Sequence, residues 1–125
     1  MLFRSYNFAK KLIETTGAKN IEMLKASFDD AFKNNVSNKK FDVVYIDGNH
    51  TYEATINYFN LLLKNNTNQN SVLIFDDIYW TPQMTAAWEE IKKHPAVTIT
   101  IDLYKVGLVF FRKENKQKEN FCLKY

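Results

Sequence analysis

Residues Phe41 to Glu53 read FDVVYIDGNHTYE, and the change of character halfway along decides the fold. Val43, Val44, Tyr45 and Ile46 form an apolar run with no charge inside it. That is the pattern of a strand buried on both faces, as in a parallel sheet, although a buried helical turn has the same periodicity. The run breaks abruptly into Asp47, Gly48, Asn49 and His50. Gly48 can turn the chain without steric cost, and Thr51 is placed to cap a following helix. A carboxylate, an amide and an imidazole are thus gathered at the carboxyl end of a strand, the edge where open α/β sheets bind ligands.

Working outward, Tyr52, Ile56, Phe59 and Leu63 share one helical face, and Asn65 to Asn70 is a loop of turn formers. Val72 to Phe75 is a second apolar run that also ends in acid, Asp76-Asp77. Thr81-Pro82 starts a helix with a buried stripe of Met84, Trp88 and Ile91, which His94-Pro95 stops. Val97, Ile99, Ile101 and Leu103 alternate with Thr98, Thr100 and Asp102, as in a strand with one wet face. Lys105 to Gly107 turns, or Gly107 occupies a bulge, before a strand over Leu108–Phe111. Phe121, Leu123 and Tyr125 suggest a short extended tail. Upstream, Phe8, Ala9, Leu12 and Ile13 stripe a helix that ends near Thr16-Gly17. A short strand is expected over Ile21–Lys25, and Ser27 or Asp29 caps a helix running through Ala31 and Phe32 to about Asn35. Helix and strand alternate throughout. The expectation is one α/β domain over 1–125, a mostly parallel sheet that closes with an antiparallel pair.

Composition narrows the function. The 125 residues suit one domain, with 46% apolar and 25% charged residues as in an ordinary globular protein. The net charge of +3 gathers in the final stretch KENKQKENFCLKY, which reads as a solvated tail and not as a nucleic-acid surface. Cys122 is the only cysteine, so no intrachain disulfide forms. The start, MLFRSYNFAKK, lacks the pattern of a secretory signal, and no apolar run reaches membrane-spanning length; a cytoplasmic location is expected.

Four segments together carry a resemblance: YIDGNHTYEAT, LIFDDIYW, MTAAWEEI and ITIDLYKVGLVFF. In order and spacing they resemble the C-terminal half of a class I S-adenosylmethionine-dependent methyltransferase, in the bacterial branch with an Asp-Gly-x-His turn after the fourth strand. The resemblance runs from Arg4 onward. It implies an incomplete Rossmann-like sandwich in which Ile21–Lys25 is the third strand, Phe41–Ile46 the fourth and Val72–Phe75 the fifth. Val97–Leu103 becomes the sixth and Leu108–Phe111 the antiparallel seventh. The family's first strand, its glycine-rich cofactor loop and the acid ending its second strand have no counterpart. The glycines are Gly17, Gly48 and Gly107, too far apart for a G-x-G turn.

The resemblance also implies a site. Ser27 and Phe28 match positions beside the adenine of S-adenosylmethionine. Asp47 and Gly48 match positions lining the cofactor and acceptor side. Asp47, Asp76 and Asp77 match the acids that hold a divalent cation such as Mg²⁺ or Ca²⁺ in metal-dependent relatives. His50 is an alternative base for the acceptor's proton. Simpler roles compete: Asp47 and Asp76 as strand-end caps, His50 as a hydrogen-bonding loop residue, and Tyr79 and Trp80 as sheet-edge packing instead of pocket wall. The expected function is methyl transfer to a small-molecule hydroxyl, by a fragment or split-enzyme half that is inactive alone. A noncatalytic binding module derived from the same fold is the alternative, and an unrelated small nucleotide-binding domain is a third. The expected partners are the acceptor and either a second copy or a complementing chain, with neither nucleic acid nor membrane.

Overall fold

The computed structural model describes residues 2–124, which fall into two units, Met1–Ser37 and Asn38–Tyr125. The first unit contains helices α1 (Leu2–Thr16) and α2 (Phe28–Asn34). α1 stops at Gly17, whose φ of +67° is left-handed, a conformation that costs most other residues roughly 1–2 kcal/mol. Ser27, not Asp29, caps α2, its hydroxyl oxygen accepting the Asp30 N–H at 3.1 Å. Ile21–Lys25 is not a strand, contrary to expectation. A strand needs a partner for its backbone groups, and every strand among the described residues lies between Val43 and Cys122.

The second unit contains β1 (Val43–Ile46), α3 (Tyr52–Asn65), β2 (Val72–Phe75), α4 (Pro82–Lys93), β3 (Ile99–Asp102), β4 (Gly107–Phe110) and β5 (Glu119–Cys122). They build one sheet in the order β1-β2-β4-β3-β5. β1 pairs parallel with β2, and β3 with β5, while β4 runs antiparallel to both its neighbours. Four of the strands therefore share one direction and only β4 opposes them. This is the Rossmann-like methyltransferase arrangement, in which the fourth, fifth, seventh and sixth family strands lie side by side. β5 falls in the stretch where a short extended tail was expected around Phe121 and Leu123, and its residues stay exposed; the Thr100 hydroxyl donates to Asn120 Oδ1 at 2.6 Å. Tyr125, expected in the same extended tail, lies outside the described residues.

One face of the sheet carries the core. Leu73, Phe75 and Val109 are completely buried there, against Phe59 and Leu62 of α3 and Trp88 and Ile91 of α4. The Phe59 and Phe75 rings are 6.4 Å apart. The buried stripe of α3 is Thr55, Tyr58, Phe59 and Leu62, so of the expected residues only Phe59 belongs to it. Met84, Trp88 and Ile91 are buried as expected, joined by Ala87.

The other face corrects the reading of the central strand. Val43 is 60% and Tyr45 55% exposed, so β1 is not buried on both sides. It is an edge strand whose alternate positions are both apolar, and period-two patterning is invisible when neither face is polar.

No helix among the described residues is long and apolar enough to cross a membrane.

α4 and β4 approach closely at Gly107. A Cβ placed on Gly107 would lie 2.6 Å from the nearest Trp88 ring atom, where no such approach is tolerated. Gly107→Ala is therefore expected to destabilise the protein by about 1–3 kcal/mol, the range for overpacking a filled core. Chemical denaturation checks this, and restoration by the smaller side chain of Trp88→Phe in the double mutant would identify the clash as the cause.

Candidate functional site

β1 and β2 are in register with Ile46 opposite Phe75, so Asp47 and Asp76 leave the sheet side by side at its carboxyl edge. The Asp76 N–H donates to the Ile46 carbonyl at 3.0 Å. The chain bends at Gly48 after β1, and Asn49 follows at φ +47°; asparagine tolerates the left-handed region better than most residues. Asp77, after β2, is also left-handed at φ +53°.

Side chains then join the two loops. The Thr51 hydroxyl oxygen accepts the Ala54 N–H and caps α3. That of Thr81 accepts the Met84 N–H at 3.1 Å and caps α4, while its proton goes to the His50 carbonyl at 3.4 Å. Gln83 Oε1 accepts the Tyr52 N–H at 3.3 Å.

This scaffolding places an imidazole between two acids. His50 Nε2 lies 3.7 Å from Asp47 Oδ1 and 3.8 Å from Asp77 Oδ2. Both separations exceed a hydrogen bond, and the buried Nε2 has no hydrogen-bond partner among the described residues. The ring stands 5.3 Å from that of Trp80 at 34°. One donor atom each from Asp47, His50 and Asp77 lie within 4.8 Å of one another. Asp47 is the solvent-facing member, its side chain 58% exposed against 23% for His50 and 20% for Asp77.

Of the three acids implied as metal ligands, Asp47 and Asp77 belong to this group and Asp76 does not. Asp76 is 8% exposed. Local desolvation first, then the neighbouring Asp76 carboxylate, hold the Tyr45 hydroxyl protonated above the usual tyrosine range, with Asp47 and Asp77 adding their charge. Asp76 Oδ1 has no hydrogen-bond partner among the described residues.

Ser27 and Phe28 lie in the first unit. The Ser27 hydroxyl donates to Asp30 Oδ2 at 2.7 Å, and Ser27 lines a cavity of about 610 Å³ with Tyr6, Met23, Leu24 and Asp30. Phe28 is 42% exposed.

Sequence reasoning missed a second arrangement at the same edge of the sheet. The buried Asp102 carboxylate accepts the Tyr79 hydroxyl, Trp88 Nε1–H at 3.4 Å and the Tyr104 N–H at 2.8 Å. Tyr79 and Tyr104, their rings 5.8 Å apart, wall a cavity of about 470 Å³ with Cys122, Leu123 and Lys124. The alternation of β3 marked Asp102 as facing water, and no local signal pairs it with Tyr79.

The sheet order is that of an α/β domain of the Rossmann-like methyltransferase type. A crystal structure of a protein from Corynebacterium glutamicum has the same fold, with a TM-score of 0.69 over 87% of this chain and 12% identity. Residues 4–78 match the family described as "Methyltransferase domain", and the chain belongs to that family. An uncharacterized protein of Acanthamoeba polyphaga mimivirus, R132, is 40% identical over 53 residues, which are 40% of this chain. The chain spans 56% of the Corynebacterium protein and 24% of the viral one.

The Asp102 network gives a pH-dependent expectation. The hydrogen bond to Asp102 first, and burial second, push the Tyr79 hydroxyl far above its usual range. Tyr79 then stays protonated in the fold where the unfolded chain ionises, near pH ~10. Its stabilisation is complete below that pH and declines as pH rises above it. Tyr79→Phe is expected to cost about 1 kcal/mol at neutral pH and to flatten the alkaline decline, as measured by urea denaturation at several pH values.

Proposed function

We propose that this chain is the acceptor-side half of an S-adenosylmethionine-dependent methyltransferase of the Asp-Gly-x-His branch, acting on the hydroxyl of a small molecule. The observation that carries the reading is the Asp47–His50–Asp77 group at the carboxyl edge of β1 and β2, where open α/β sheets bind ligands. S-adenosylmethionine supplies an electrophilic methyl group, so the acceptor oxygen needs to be oriented, deprotonated and shielded from water. The chain's own residues suit those tasks. Asp47, His50 and Asp77 take the acceptor's proton, with Asp47 nearest solvent. The Trp80 ring stands beside His50.

The fit to the cofactor is partial. The chain has three glycines and no pair spaced to cradle the methionine portion, and Gly107 is committed to the Trp88 contact. We infer that a complementing glycine-rich strand–turn–helix completes the site, pairing beside β1. Alone, the chain is expected to bind S-adenosylmethionine no tighter than about millimolar, near 4 kcal/mol. Isothermal titration with and without the complementing chain tests this. A micromolar constant for the chain alone overturns the partial-site reading. No binding and no methyl transfer in the mixture favours a noncatalytic module.

The exposed β1 edge also predicts association. Val43-Val44-Tyr45-Ile46 carries neither charge nor proline, the devices that keep sheet edges from pairing. Light scattering after size exclusion should show dimers or larger species, which Val43→Lys reduces. A monodisperse, cooperatively melting monomer at high concentration contradicts it.

A further inference from the structure

We propose that the cavity at the carboxyl ends of β3 and β5 binds a small alkylated ammonium ion, seated on the Tyr79 and Tyr104 rings with Asp102 as its counter-charge. The site shares no residue with the Asp47–His50–Asp77 group and stands whether or not the chain takes part in methyl transfer.

The first argument is charge. Asp102 lines the cavity and is 5% exposed. Its three hydrogen-bond donors, the Tyr79 hydroxyl, the Trp88 indole and the Tyr104 N–H, are all neutral, and it forms no ion pair among the described residues. Such donors satisfy lone pairs without cancelling the charge, and a buried charge is little screened by salt. The cavity is where a cation can meet it. Oδ1 accepts only the Tyr104 N–H among the described residues, so a ligand N–H or O–H finds a second lone pair there. Lys124, also at the wall, is exposed, and solvent screens its repulsion far more than it screens Asp102.

The second argument is the cost accepted to place a ring. Tyr104 lies in the turn between β3 and β4 at φ +69°, an outlying conformation for a bulky side chain, and 74% of it is exposed. The turn is closed by the Lys105 N–H donating to the Leu103 carbonyl at 2.8 Å. A large aromatic is thus held in a disfavoured backbone conformation without entering the core, as happens at ligand clamps.

The third argument selects the class of ligand. The two tyrosine rings stand 5.8 Å apart at 34° and touch each other. A flat ring sandwiched between them would need about 7 Å, two contacts of about 3.5 Å each. The faces therefore make a corner and not a slot. A compact cation in that corner meets the negative face of both rings, the arrangement by which aromatic side chains recognise alkylated ammonium groups. The cavity, about 470 Å³, lies within the roughly 300–1,000 Å³ usual for small-molecule sites.

The test uses the full chain alone, labelled with ¹⁵N and titrated with choline or with its neutral isostere 3,3-dimethyl-1-butanol. Trp88 donates its indole N–H to Asp102, so that resonance reports on the site; Trp80→Phe assigns it, since the chain has two tryptophans. Choline should move the resonance saturably, with a dissociation constant of about millimolar or below. The isostere has the same shape without the charge and should bind at least about tenfold more weakly. Tyr104 is exposed, so its replacement leaves the core intact. Tyr104→Phe, which keeps the π face, should bind choline within about twofold, and Tyr104→Leu should weaken binding about threefold or more. Equal binding of the isostere would reduce the site to an apolar cleft and overturn the proposal. So would unchanged affinity in Tyr104→Leu, or a Trp88 resonance unmoved by choline at about 0.1 M.

Discussion

The close approach of Trp88 to Gly107 is the constraint on which the second unit depends. Only a residue without a Cβ lets the indole reach β4, and the same indole donates its N–H to Asp102 on β3. α4 is thereby fixed against two strands by one side chain. Its N-terminus is fixed in turn, and with it Thr81, the residue that holds the His50 carbonyl. The position of the imidazole at one end of the sheet thus descends from a packing contact in the core. A larger residue at position 107 would shift the helix, and the loop would move with it.

Much of this was legible because it was local. Thr51 and Thr81 announce their helices by the capping hydroxyl, Pro82 by its fixed φ, and both residues act as read. β1 and β2 were visible as apolar runs ending in acid, which put Asp47 and His50 at the correct edge. The strand order followed from the family resemblance and not from the residues themselves.

What escaped the sequence was nonlocal. Ile21–Lys25 has the composition of a strand, but composition does not provide a pairing partner. β1 looked buried because both of its faces are apolar, which records what the strand can cover and not what covers it. Asp76 and Asp77 are adjacent and chemically identical, yet a left-handed Asp77 turns one toward His50 while the other is buried outside that group. No periodicity separates them. Asp102 was read as solvent-facing, yet three donors reach it from α4 and the loops at that edge, and they offset the cost of burying its charge.

The Thr81 hydroxyl serves two masters at once, an amide at the start of α4 and a carbonyl beside the imidazole. One rotor therefore links the start of a helix to the backbone of the loop that carries His50. When the first turn of α4 loosens, the hydroxyl loses the lock on its torsion, and the histidine loses its tether in the same event. The helix terminus and the loop are thus tied through one side chain.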